Sequence, residues 1–170
     1  MNKMKVFSTM MVSLLLGCCI MPYGGRKVNF DPFDLKVKIN VDTSKTNFSE
    51  TIGRGGIISA FSSQIVRAIE TDLEDNLFPN IVENGEDFLI NIEILDVHVN
   101  AWGAGKAQVT LKIMTPDETP IKIYSERGSC GMRFTILEGA MDAVGDAIQK
   151  IKCAINEDRD EITKAIVNKK

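Results

Sequence analysis

Two sets of residues in this chain have the types and spacing for chemistry. Asp96 and His98 lie two apart, and four cysteines stand at positions 18, 19, 130 and 153. A carboxylate beside an imidazole on one strand face is half of a nucleophile-activating relay, and it still needs a positioned serine or cysteine. No such nucleophile is identifiable by spacing, and His98 is the only histidine, so the pair reads as solvated polar residues. Structural zinc takes four Cys or His ligands, and none are spaced for it. Gly53-Arg54-Gly55-Gly56 could cradle an anion at a helix mouth. Its spacing matches neither the nucleotide loop nor the dinucleotide fingerprint, and it reads as a flexible loop. The expectation is a chain with no catalytic residues, no metal and no enzymatic role.

The remaining chemistry sits at the start of the chain. Lys3 and Lys5 precede an eleven-residue apolar run, Val6 to Leu16, followed by Gly17-Cys18-Cys19. A basic n-region, an apolar segment of about 7 to 15 residues and a small residue at the cut make an export signal. Eleven residues fall short of the roughly 20 that cross a bilayer as a helix.

Leu15-Leu16-Gly17-Cys18 resembles the lipobox of bacterial lipoproteins. The resemblance implies that residues 1–17 are a signal peptide removed on export, and that Cys18 becomes the lipidated N-terminus. It would carry a thioether-linked diacylglycerol and an N-acyl chain, with no other cofactor. Each buried CH₂ contributes about 0.8 kcal/mol, so two or more acyl chains hold stably. Cys19 takes the sorting position. It is not Asp, which implies the inner leaflet of the outer membrane, facing the periplasm, if the source is Gram-negative.

Removing residues 1–17 takes away two lysines and no acid, leaving 18 basic and 23 acidic residues, a net charge of −5. That argues against a nucleic-acid partner, for which a basic patch is the expected footprint. The 153 remaining residues suit one domain. Cys130 precedes and Cys153 nearly ends what reads as one helix, and the roughly 18 helical residues between them hold them about 27 Å apart, against the 7 Å or less that a disulfide needs. They are expected not to be bonded to each other.

The elements follow from periodicity. Residues 18–34, with Pro22, Gly24, Gly25 and Pro32, read as a flexible tether, and 35–170 as a single domain. Leu35 to Val41 alternates as a half-buried strand. Ile57 to Leu77 places Ile58, Phe61, Ile65, Ile69, Leu73 and Leu77 on one helical stripe. Phe88 to Val99 alternates through Ile94 and then jumps phase to Leu95, Val97 and Val99, which predicts a bulge near Leu95 and Asp96. Lys106 to Met114 and Ile121 to Glu126 complete an antiparallel meander, the latter with Ile121 and Ile123 inward. Thr135, with Glu138 three residues on, is placed to cap a second helix carrying Leu137, Met141, Val144, Ile148, Ile151 and Ile155. The charged C-terminal residues extend that helix or fray from it.

The order β-α-β-β-β-α with alternating strands implies a two-layer α+β fold, a four-stranded, mostly antiparallel sheet with both helices on one face. The uncovered face should display Lys36, Lys38, Asn91, Glu93, Asp96, His98, Gln108, Lys112, Lys122 and Tyr124. This order behind a lipobox resembles small envelope lipoproteins that serve as accessory parts of secretion, transport or surface-polymer assembly machines. The resemblance implies a non-enzymatic, membrane-anchored component of an envelope complex. Its partners would be the bilayer, through the acyl anchor, and another envelope protein, with Trp102, His98 and Tyr124 as candidate contacts. A small-ligand or lipid carrier of the envelope is the alternative, though Phe61, Phe88 and Met141 suggest a filled core. Trp102, between small residues, could also fold back over the core edge.

Overall fold

The longest run of alternating apolar residues supplies the middle of the sheet. The computed structural model describes residues 30–49, 52 and 57–168. Its strands, numbered in chain order, are β1 (Val37–Asp42), β2 (Asn47–Phe48), β3 (Phe88–Val99), β4 (Gly105–Met114) and β5 (Pro120–Cys130). Its helices are α1 (Ile57–Asn76), α2 (Ile136–Glu157) and α3 (Arg159–Val167). The sheet runs β1-β3-β4-β5, and β2 pairs with β3 beyond the end of β1. β1 and β2 are parallel to β3, whereas β3, β4 and β5 form the antiparallel meander. α2 lies across β5, β4 and β3, and α1 packs against α2 and β1. The fold is two-layer α+β, as the alternation implies, with β2 and a separate α3 added to the expected order.

The bulge falls where the phase jump places it. Ile94 pairs with Val109 and Asp96 with Gln108, so Leu95 is the extra residue. Phe88, Ile90, Ile92 and Ile94 before it, and Val97 and Val99 after it, all point into the core. Without the bulge, a period of two would turn one of these sets into water.

β5 departs from expectation. A second irregularity leaves Ile121 without a partner, since Ile113 pairs with Lys122 and Met114 with Pro120. Lys122 and Tyr124 therefore face the helices, and Ile123, expected inward, is 56% exposed on the open face. The polar tips find partners where they land. The Tyr124 hydroxyl donates to Asp158 at 2.9 Å, and Lys122 Nζ lies 2.9 Å from Glu161 and 3.3 Å from Asp158.

The contact of α2 with the sheet is made largely by small residues. A Cβ on Gly128 would overlap the Ala143 carbonyl oxygen and the Ala147 amide, and one on Gly105 would overlap the Gly139 carbonyl. Gly139, Ala140, Ala143 and Ala147 are buried beside Val144, Ile148, Ile151 and Ile155, while Leu137 and Met141 of the expected seam are only partly covered. Thr135 caps this helix as expected. Its side chain accepts from the Glu138 amide at 3.1 Å, and Glu138 accepts from the Thr135 amide at 2.9 Å. On α1, Phe61, Ile65, Ile69 and Leu73 are buried, but Ile58 is exposed.

Residues 30–34, expected in the tether, are held on the domain. Phe33 is buried against Phe78, with ring centroids 5.2 Å apart, and its amide donates to the Leu77 carbonyl at 2.7 Å. Arg159 donates to the carbonyls of Asp31 and Pro32 and lies over the Phe33 ring at 4.4 Å. The helix breaks at Asp158, and α3 returns Ile162 and Ile166 to the core.

Candidate functional site

The open face of the sheet is a lattice of polar side chains in register. Asn40 Nδ2 donates to Asn91 Oδ1 at 3.1 Å. Lys112 Nζ donates to Glu93 Oε1 at 2.8 Å, and the Thr110 hydroxyl donates to Ser125 at 3.1 Å. Asp96 accepts from Asn47 of β2 at 3.1 Å, so its hydrogen bond runs across the strands. His98 is exposed, opposite Lys106 in the register. Asp96, His98, Lys106, Gln108, Arg127 and Ser129 line a shallow groove. Among the described residues, no group of three or more His, Cys, Asp or Glu side chains is placed to hold a metal ion.

Of the three candidate contacts, the structure brings none of the others to Trp102. His98 stands on the open face. Tyr124 is nearly buried on the helix side, where desolvation, followed by its bond to Asp158, pushes its hydroxyl pKa well up. Both Tyr124 and Lys122 are thus corrected from the open face to the covered one.

Trp102 has different neighbours. It sits in the β3–β4 turn, whose shape is set by Asn100. That side-chain oxygen accepts from the Trp102 amide at 2.9 Å and the Ala104 amide at 3.1 Å. Gly103 follows at φ 74°, and a Cβ there would overlap the Arg133 carbonyl, so this turn lies directly on the β5–α2 loop. That loop carries Met132 and Phe134. Trp102 is 74% exposed, Met132 73% and Phe134 fully exposed, and with Ala101 and Arg133 they line one surface depression. Trp102 does not fold back over the core edge.

The exposure of Phe134 has a local cause. It precedes the cap residue Thr135, the position whose apolar side chain commonly packs on the fourth helical residue. Here that residue is Gly139, which offers no side chain. The pair Phe134 and Gly139 was a legible signal that Phe134 has no partner within its own helix. Arg133, between the two apolar residues, is ion-paired with Asp142.

Cys130 and Cys153 are free. Cys130 Sγ donates to the Gly139 carbonyl at 3.2 Å, and burial pushes its thiol pKa up. Cys153 lies fourteen residues further along α2 than Gly139, or about 21 Å of helix. The lipobox, Cys18, Cys19 and Gly53-Arg54-Gly55-Gly56 lie outside the described residues. Among those described, no helix is long and apolar enough to cross a membrane.

No family model and no curated protein matches this sequence. Solved structures show a loose likeness of shape. A Xanthomonas campestris protein of the DUF330 family has 10% identity and a TM-score of 0.44, over 81% of this chain and 90% of that one. The PelC dodecamer from Paraburkholderia phytofirmans has 10% identity and a TM-score of 0.44, over 74% and 93%. A minor lipoprotein from Acinetobacter baumannii has 9% identity and a TM-score of 0.38, over 76% and 96%. Likenesses this distant carry no argument about what this chain does.

Proposed function

We propose that this chain is a lipid-anchored protein of the bacterial envelope, acylated on Cys18, with a binding role in place of a catalytic one. The open sheet face meets another envelope protein. The observation that supports this reading is where the chain joins the domain. Arg159 and Phe33 hold residues 31–33 on the helix layer, beginning thirteen residues after Cys18, so an anchor attached there leaves the opposite, polar face of the sheet uncovered. The side chains of that face are already ordered by hydrogen bonds across the strands, and little rotamer freedom is left for a partner to remove. Phe61, Phe88, Ile92 and Val144 fill the space between sheet and helices, where a carrier would keep its cavity.

Labelling with palmitate in the source cell tests the anchor. The wild-type chain takes up label and stays with the membrane fraction, and Cys18→Ser abolishes both. Label retained by the Cys18→Ser chain, or a wild-type chain without label, rules the anchor out. A photo-crosslinker at Arg127 tests the face, with an adduct to an envelope protein as the expected result.

A further inference from the structure

The two poles of the sheet differ in chemistry. At one pole are the loops 79–87 and 115–119, which precede β3 and join β4 to β5. They carry five carboxylates, Glu83, Glu86, Asp87, Asp117 and Glu118, and no lysine or arginine. At the other pole are the loops 100–104 and 131–135, which hold Trp102, Met132, Arg133 and Phe134 and no carboxylate. Along β3 the poles lie about 36 Å apart.

From these observations we propose that the Trp102, Met132 and Phe134 pole rests in the headgroup layer of the bilayer that holds the acyl anchor. The inference rests on the acylation of Cys18 proposed above. Three features fit a lipid surface. The side chains project outward, 73% to fully exposed, on two loops locked together where Gly103 meets Arg133. Tryptophan belongs at the membrane interface because its ring is apolar and its N–H is polar. The charge at this pole also suits anionic lipid, since the Asp142 carboxylate next to the loops is ion-paired with Arg133, and exposed Lys106 lies beside them.

The reach of the chain permits this orientation. Cys18 and Phe30 are twelve residues apart, at most about 42 Å of extended chain. The Phe30 ring lies 5.8 Å from Lys152 Nζ, on α2 sixteen residues from Ile136. That is about 24 Å along the helix from the apolar pole, well inside the limit. Two or more acyl chains already give durable attachment. The pole therefore adds orientation, standing the domain on end and turning the open sheet face sideways along the membrane.

Trp102 is the chain's single tryptophan, so its fluorescence reads this pole directly. The acylated full-length protein is reconstituted into phosphatidylethanolamine and phosphatidylglycerol vesicles, with and without brominated acyl chains. The expected result is a blue-shifted Trp102 emission that brominated lipid quenches, with the quenching lost in Phe134→Asp while the protein stays on the vesicles. Emission that remains water-like and unquenched, in a chain whose acyl groups are confirmed by mass, overturns the inference and leaves the anchor standing. That result together with a crosslink from position 134 to a protein assigns the pole to a protein partner instead. A chain without acyl groups overturns the anchor and this inference with it.

Discussion

Lys152 Nζ sits 2.8 and 2.9 Å from the two carboxylate oxygens of Asp72, joining α2 to α1 through an ion pair whose lysine is 2% exposed. Asn76 donates to the same carboxylate at 3.0 Å, and the Phe30 ring covers the ammonium. Removing one member of such a pair strands the other charge. Lys152→Met should therefore lower stability by about 3–5 kcal/mol, and adding Asp72→Leu should restore much of it. Urea unfolding reads both as midpoint shifts at constant slope. A neutral Lys152→Met would show that Asp72 reaches water.

Gly128 has no room for a methyl group. The Ala143 carbonyl and the Ala147 amide already occupy the space, and both are helix backbone that cannot swing aside. Gly128→Ala should cost about 1–3 kcal/mol or more by forcing α2 off the sheet. Gly131→Ala, where nothing lies within 4 Å of the new atom, is the matched control and should leave Tm nearly unchanged.

Asp158 should make folding sensitive to acid. The Tyr124 hydroxyl first, and then Lys122, stabilise its carboxylate and hold its pKa below the usual range. A carboxyl with a lowered folded pKa contributes stability that is complete above its unfolded value, about 3.9, and is lost as pH falls through the folded value. The loss should be shallower in Tyr124→Phe, whose Asp158 should titrate closer to the ordinary carboxylate range. Carboxyl NMR titration of the two proteins checks this, and identical curves would contradict it.

Trp102 and Phe134 should be dispensable for folding. Each projects into solvent, and surface substitutions away from special features change stability by about 0.5 kcal/mol or less. Trp102→Ala and Phe134→Ser should unfold at the wild-type denaturant midpoint. A loss of several kcal/mol would show that these side chains cover the core.

What the sequence disclosed depended on how local the cause was. The bulge at Leu95 was legible because a strand has a strict period of two and the apolar set changes phase at one point. The Thr135 cap was legible because its partner is three residues away. β5 was misread because its inward positions hold Lys122, Tyr124, Glu126 and Gly128, whose places are decided by Asp158, Glu161 and the backbone of α2. The seam of α2 was read from its large residues, whereas glycines and alanines set its approach to the sheet. Residues 31–33 looked like tether because Arg159, which holds them, lies more than 120 residues away.

The hold of Arg159 on that segment also decides how mechanical load would enter the domain. A pull on the chain ahead of Phe30 meets the Phe30 ring over Lys152 first, then the guanidinium on the Asp31 and Pro32 carbonyls and the Phe33 ring wedged against Phe78. Only when these yield does tension reach β1, which is paired with β3 over six residues and is loaded from its first residue, Val37. Tension along the strand shears those pairs together, where tension across it would open them one by one. The amino-terminal attachment thus works as a strain relief, with helix-layer contacts giving way before the sheet does.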